Sequence, residues 1–175
     1  MAKENKKTDK GENKMREIKI DKVVLSVGAT GDQLAKGFKL LEIITKRKPA
    51  KTKSRKRIPS LGVRPGLEIG AVVTIRKNPE ETLKRMLSAI ENTLRKKQMS
   101  ENNFSFGIHE YIEIPGMEYQ RDIGIMGLDV TVVFKRTGRR VALRKVKRGK
   151  VSKRQIISKE EIIKFMENKF GTRFR

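Results

Sequence analysis

Residues 69–94 read IGAVVTIRKNPEETLKRMLSAIENTL. The opening run, Ile69 to Ile75, is rich in β-branched residues and reads as a strand. Asn78-Pro79-Glu80-Glu81 then supplies an N-cap side chain, a first-turn proline and a carboxylate three residues after the cap. Leu83, Met86, Leu87, Ile90 and Leu94 follow as one apolar stripe, with Lys84, Arg85, Glu91 and Arg95 elsewhere on the helix. A strand followed by a helix with one apolar stripe implies a sheet that the helix must cover.

The same alternation extends in both directions. Upstream, Ile18, Ile20, Val23, Val24, Leu25 and Val27 form a strand that breaks at Gly28 to Gly31. A helix from about Asp32 carries Leu34, Phe38, Leu41 and Ile44 or Thr45 near helical spacing, and Pro49 ends it. Arg64-Pro65-Gly66 is a turn, so 55–70 reads as a long basic hairpin loop. Downstream, strand character over 104–114 stops at Pro115-Gly116 and returns with the alternating Leu128, Val130, Val132 and Phe134. A last helix opens on Ser158 with Glu161 in capping-box register, turns Ile162, Ile163, Met166 and Phe170 inward, and stops at Gly171. The expected fold is α+β: a mainly antiparallel sheet with helices on one face and the other face exposed for RNA. Residues 1–14 are expected to be a disordered charged tail. Residues 15–175 are expected to be a single RNA-binding domain containing a basic loop, 50–68, and a basic extension, 135–157.

Composition narrows the function. The chain of 175 residues has 43 Lys plus Arg against 20 Asp plus Glu, a formal net charge of +23. So much like charge repels itself, and a polyanion relieves it; cations meeting phosphates also release counterions. There is no cysteine and a single histidine, which excludes disulfides, thiolate metal sites and multi-histidine sites. No cofactor is implied. No apolar run approaches the roughly 20 residues that span a bilayer, and the opening MAKENKKTDKGENK lacks the apolar segment of a secretory signal. The basic residues do not fall on one amphipathic helix with aromatic anchors, so a membrane surface is the weaker partner.

Two cationic segments stand out. Lys51, Lys53, Arg55, Lys56, Arg57 and Arg64 crowd one loop with no acid until Glu68, and the forked donors of arginine suit phosphate and base edges. Arg136, Arg139, Arg140, Arg144, Lys145, Lys147, Arg148, Lys150, Lys153 and Arg154 form the second, released from the sheet by Thr137-Gly138 and expected to take its order from RNA. Gly28-Ala29-Thr30-Gly31 reads as a tight strand-to-helix turn or a phosphate nest, without the Gly-Lys-Ser/Thr of a Walker loop. His109 has no partner histidine for metal or catalysis. Glu110, Glu113, Glu118 and Asp122 suit a protein contact or pairing with the cationic loops better than acid–base work, since no nucleophile accompanies them. Phe104, Phe106, Tyr111, Tyr119 and Phe134 could stack bases, though core packing suits most of them.

Three segments carry a resemblance: Lys22-Val-Val-Leu-Ser-Val-Gly28; Thr52-Lys-Ser-Arg-Lys-Arg-Ile-Pro-Ser-Leu-Gly-Val-Arg-Pro-Gly-Leu-Glu-Ile-Gly70; and Phe106-Gly-Ile-His-Glu-Tyr-Ile-Glu-Ile-Pro-Gly116 through Asp122-Ile-Gly-Ile-Met-Gly-Leu-Asp-Val130. Over about residues 16–175 the chain resembles the universal large-subunit ribosomal protein five family in its archaeal and eukaryotic form. The resemblance implies a structural, non-enzymatic, cytoplasmic component of the large ribosomal subunit whose sheet face binds 5S ribosomal RNA in the central protuberance. By that resemblance the 5S-facing positions are Ser26, Val27, Gly28, Arg47 and Thr74. The bacterial pattern has Asn-Met in place of Ser26-Val27 and Gln in place of Arg47, so the backbone surface carries over better than each side-chain bond. The loop at about 53–68, with Lys53, Arg55, Lys56, Arg57 and Arg64, is implied to reach the elbow of peptidyl-site tRNA. Arg139, Arg140, Arg144, Lys145, Lys147 and Arg148 are expected to make further contacts with large-subunit ribosomal RNA. Large-subunit protein eighteen and small-subunit head protein thirteen are the implied protein neighbours. The rival readings are a general RNA chaperone or DNA binder, which would show little preference for 5S RNA, and an RNA-modifying enzyme, which would need a catalytic cluster.

Overall fold

A computed structural model of the chain describes residues 15–175; the expected tail, 1–14, lies outside the described residues. The elements run β1 (Ile18–Gly28), α1 (Asp32–Thr45), β2 (Ala50–Lys53), β3 (Glu68–Ile75), α2 (Pro79–Ala89), β4 (Thr93–Leu94), β5 (Met99–Ser100), β6 (Asn103–Ile108), β7 (Leu128–Arg136), α3 (Arg140–Leu143), α4 (Lys159–Phe170) and β8 (Arg173–Phe174). One antiparallel sheet has the strand order β2-β3-β1-β7-β6-β5, while β4 and β8 form a short parallel pair.

Period-two patterning puts one set of side chains on one face. Val23, Leu25 and Val27 of β1, Val73 and Ile75 of β3, Val130, Val132 and Phe134 of β7, and Phe104, Phe106 and Ile108 of β6 are all buried. They form one apolar cluster with Leu34, Leu40, Leu41 and Ile44 of α1, Leu83, Met86 and Leu87 of α2, and Ile162 and Met166 of α4. The three longer helices therefore cover the same face, as the alternation predicts. The Phe104 ring stacks on Phe106 and on Phe134, and Phe165 of α4 meets Phe134 edge-on. Core packing accordingly takes four of the five aromatics considered for base stacking, including Tyr111; Tyr119 is exposed.

α1 lies close against β1 at Gly37, where a Cβ would sit 2.7 Å from Val27 Cγ1. A mid-helix glycine costs about 1 kcal/mol in propensity relative to alanine, and here it admits the neighbouring strand. Gly31 opens α1 at a positive φ of 61° and Lys46 closes it in the left-handed region, its N–H donating to the Glu42 carbonyl. Gly31 thus serves the strand-to-helix turn, whereas Gly28 is the last residue of β1 and has no positive φ.

Several boundaries differ from the sequence expectation. Asn78 occupies the N-cap position of α2, but it is left-handed (φ 48°, ψ 52°) and its side chain caps nothing. α2 ends at Ala89, and Glu91 and Asn92, both with positive φ, turn the chain. Leu94 stays buried by entering β4 rather than by extending the helix. β6 stops at Ile108, so His109 is not on a strand; it is exposed in the connection that follows. Tyr111 instead anchors a single 3-10 turn: it is fully buried, and its hydroxyl accepts from the Gln120 N–H at 2.8 Å. Ala50–Lys53, read as part of a loop, is an edge strand on β3. The α4 signals hold as expected, with the Ser158–Glu161 capping box formed and Gly171 left-handed.

The end of β7 is tied to α4 by Arg136, 8% exposed, which donates to both Glu161 carboxylate oxygens at 2.7 Å and to the Arg154 carbonyl at 2.9 Å. Partial burial pushes the Glu161 carboxyl up, but the Ser158 N–H, the Arg136 guanidinium and the Ser158 hydroxyl together hold it below the ordinary carboxylate range.

Two outcomes follow. Leu25→Ala, at a fully buried position, should lower unfolding free energy by about 2–5 kcal/mol, whereas Ser26→Ala on the opposite face should change it by less than about 0.5 kcal/mol; urea titration reads both. A carboxyl whose folded pKa is depressed stabilises the fold above its unfolded pKa, and that contribution disappears as pH falls through the folded value. Glu161→Gln should therefore lower the urea midpoint at neutral pH and flatten its decline on acidification below the ordinary carboxylate range. Parallel pH curves for wild type and variant would contradict this.

Candidate nucleic-acid interface

The sheet face away from the helices carries the alternate residues. Register aligns Ala50, Val72, Ser26, Asp129 and Gly107 in one row, and Thr74, Val24, Thr131 and Ser105 in the next. These side chains are short, and none of the nine is counted among the buried residues. The result is a flat surface of hydroxyls, small aliphatics and peptide edges, with one carboxylate, Asp129, beside Ser26. Of the positions implied to face 5S RNA, Ser26, Gly28 and Thr74 lie on this surface. Val27 does not: its side chain is 4% exposed and points into the core, leaving only its backbone near the surface. Arg47 stands apart, exposed in the turn between α1 and β2.

The basic loop grows from the β2–β3 hairpin and is itself folded. Ser54 extends the hairpin, its N–H donating to the Leu67 carbonyl and its carbonyl accepting from the Gly66 N–H, each at 2.8 Å. Its hydroxyl donates to the Lys56 carbonyl at 2.7 Å. Ile58 and Val63 pair as a second, inner bridge around a 3-10 turn at Pro59–Leu61. The Arg64-Pro65-Gly66 turn is present, with Leu67 N–H donating to the Arg64 carbonyl and Gly66 at φ 87°. Lys53, Arg55, Lys56, Arg57 and Arg64 are all exposed. Lys51 differs: it pairs with Glu68 at 2.8 Å, and that hydrogen bond with its charge holds the Glu68 carboxyl below its ordinary range. At the tip Leu61 is 71% exposed, an apolar point among cations that the sequence reading passed over.

The second cationic segment starts later than expected, because Lys135 and Arg136 belong to β7. Beyond Thr137-Gly138 the chain makes the one-turn helix α3 and folds back through a 3-10 turn at Lys153–Gln155 toward α4. Its own cations tie it together: Arg139 donates to the Phe134 carbonyl, Arg144 to Lys147 and Arg148 to Ala142. Arg140, Arg144, Lys145, Lys147 and Arg148 are exposed, while Arg139 is half-buried.

These groups do not converge on one point. β1 pairs with β3 at Gly28↔Gly70 and with β7 at Ile18↔Arg136, so the loop and the second segment leave the sheet at opposite ends. Glu110, Glu113, Glu118 and Asp122 form no ion pair with the cationic loops among the described residues. No group of His, Asp and Glu there could hold a metal ion, and no helix is long and apolar enough to cross a membrane. The sequence reading missed Val24, Val72, Ser105 and Thr131 as members of the open face. Their signal was available in the alternation of β1, β3, β6 and β7, once each strand's buried set was known.

Comparison with known proteins finds matches along most of the chain. Residues 13–64 match the family described as ribosomal protein L5, and residues 68–165 match the C-terminal part of the same ribosomal family. The chain is 41% identical over 164 residues to the large ribosomal subunit protein uL5 of Nanoarchaeum equitans, covering 91% of this chain and 97% of that one. It is 40% identical over 170 residues to uL5 of Archaeoglobus fulgidus, covering 95% and 96%, and 41% identical over 168 residues to uL5 of Sulfolobus acidocaldarius, covering 93% of each.

Proposed function

The chain belongs to the ribosomal protein L5 family, and from that premise we propose that it is a structural, non-enzymatic constituent of the cytoplasmic large ribosomal subunit that docks 5S ribosomal RNA on its open sheet face. The observation that carries the 5S reading is the chemistry of that face. Ser26, Thr74, Thr131 and Ser105 offer hydroxyls on two rows of short side chains, with Lys22 of β1 the long side chain in the next row. Asp129 would repel a phosphate but accepts hydrogen bonds from a ribose 2′-hydroxyl or a base amino group, and the 2′-hydroxyl is what tells RNA from DNA. The face therefore reads sugars and bases, while the phosphates of 5S RNA fall to cations outside the basic loop, Arg47 among them. Val27 contributes through its backbone and Arg47 as an exposed cation beside the β2 edge.

The folded basic loop is assigned to peptidyl-site tRNA. Its inner bridge and Ser54 hydrogen bonds stiffen it, so Lys53, Arg55, Lys56, Arg57 and Arg64 can be presented away from the sheet with less ordering entropy to lose. Arg140, Arg144, Lys145, Lys147 and Arg148 are assigned to further ribosomal RNA. The segment between β6 and β7, with carboxylates outside any ion pair among the described residues and with exposed Tyr119 and Ile125, suits a protein partner. It supports contact with small-subunit head protein thirteen, while large-subunit protein eighteen is the expected neighbour on 5S RNA.

Mobility-shift titration of 5S RNA tests the division of labour. Thr74→Glu should weaken 5S binding at least about tenfold by placing a carboxylate on the face. The combined Arg55→Ala, Lys56→Ala, Arg57→Ala and Arg64→Ala protein should hold 5S RNA within about threefold of wild type, with an unchanged salt slope. The same loop variant, assembled into ribosomes, should lose crosslinks to peptidyl-site tRNA. Wholesale loss of 5S affinity in the loop variant would overturn the assignment.

A further inference from the structure

At the end of the sheet opposite the basic loop, the second cationic segment folds back over β7 and forms a half-open cavity of about 300 Å³. That is the lower end of the roughly 300–1,000 Å³ found for small-molecule sites. Its polar wall holds Lys135, Arg136 and Arg139, with no carboxylate lining it. Lys135 and Arg136 each have an acidic partner outside the cavity, Asp21 and Glu161, whereas Arg139 has no ion pair among the described residues. Arg136 is more than nine-tenths buried, and its Nε has no hydrogen-bond partner among the described residues. That Nε is itself shielded, so an anion in the cavity would meet the more exposed cationic groups of Lys135 and Arg139 instead. Its apolar lining is Ala142, Val151 and Ile156, and Gln155 is a further polar group there. Asn102 also lines it, and its Oδ1 accepts from the Ile157 N–H at 2.9 Å, which leaves its NH₂ group as a donor.

We propose that this cavity seats a single unstacked nucleotide of RNA, its phosphate on Arg139 and Lys135 and its base on the Ala142 and Ile156 wall, with Asn102 donating to an acceptor on the base edge. Size and wall chemistry select a nucleotide over a bare phosphate, which would leave the apolar wall unused, and over a duplex, which cannot enter. RNA is the source because the exposed Arg140, Arg144, Lys145, Lys147 and Arg148 belong to the same segment that lines the cavity and would guide a strand to it. Sequence-selective RNA recognition uses splayed-out bases of this kind. The inference rests on the RNA-binding reading but not on the 5S assignment of the open face.

The test titrates the full-length ¹⁵N-labelled protein with adenosine 5′-monophosphate, and in separate arms with inorganic phosphate and with adenosine, followed by amide chemical shifts. Saturable shifts confined to Asn102, Lys135, Arg139, Ala142 and Ile156 are expected with the monophosphate, at least about tenfold tighter than with either part alone. Equal affinity for phosphate alone, or shifts scattered over the cationic surface, would overturn the proposal. Ala142→Trp, which fills the cavity from a half-buried position, should abolish the site-specific shifts, and Arg139→Gln should weaken them at least about fivefold. Both variants are read only with an unchanged wild-type shift pattern elsewhere; persistence of monophosphate binding in either would count against the site. Mobility shifts of 5S RNA run alongside: intact 5S binding with no response to the monophosphate sinks the cavity alone, whereas absent 5S binding sinks the face assignment and leaves the cavity to its own result.

Discussion

β1 lies inside the sheet, hydrogen-bonded to β3 on one edge and to β7 on the other, and its register fixes nearly everything else. Because strand side chains alternate, committing Val23, Leu25 and Val27 to the helix-covered face forces Val24, Ser26 and Gly28 onto the other. A slip of one residue would expose the branched core set and bury Ser26 without a partner. The constraint propagates through the pairings Val24↔Thr74 and Val24↔Thr131, so β3 and β7 inherit the same sidedness. The irregularity in its pairing with β7, between Ile20 and Lys22, falls toward the start of the strand, away from the row containing Ser26. The open face is thus a by-product of core packing, and its short side chains allow close approach of a flat partner.

The charge is arranged around this body rather than within it. Arg136 is the only cation among the buried residues described, and it is held by Glu161. The formal charge of +23 already counts every carboxylate, so the five ion pairs among the described residues leave it unchanged. Exposed pairs of this kind contribute little to stability anyway. The excess cations concentrate in two segments, and the second uses backbone carbonyls, not carboxylates, to hold its shape: Arg139, Arg144 and Arg148 each donate to a carbonyl. Pairing them with acids would have neutralised the surface, whereas carbonyl anchoring fixes the backbone and leaves the positive charge for a ligand.

The four longer strands, the three longer helices and the one-sided packing were legible because each rests on local periodicity or capping: the Ser158–Glu161 box and the Gly171 stop are set by residues a turn apart. What escaped was decided at long range. The edge strand Ala50–Lys53 is exposed at every position and cationic, so it has no apolar signature; only pairing with β3 makes it a strand. Leu94 kept helical spacing from Ile90 while leaving the helix, because burial can be satisfied by β4 as well. Tyr111 looked like one more strand residue, but its hydroxyl needed Gln120, which no pattern in the sequence announces. Gly37 carried no visible signal either, since its role depends on the distance to Val27. For the candidate site, the cations were plain from composition, yet the burial of Val27 and the cavity walled by Asn102, Arg139 and Ala142 emerge only from tertiary contacts.

The spacing of the cationic segments bears on how a ligand can be shared. β1 spans 11 residues, which at about 3.3 Å per residue is roughly 35 Å from the Arg136 end to the Gly28 end. That distance exceeds the Debye length of about 8 Å at physiological ionic strength several-fold, so neither segment feels the charge state of the other through solvent. A short oligonucleotide can engage one end or the other, and only a folded RNA lying along the face can engage the sheet and an end together. Independence at this range means that affinities gained at the two ends combine through the ligand's own rigidity rather than through the protein. A stiff RNA that fits the face gains both contributions, while a flexible strand of the same charge gains little beyond one. On the proposed reading, the placement of the cations then adds a preference for folded RNA to what the sheet face reads from sugars and bases.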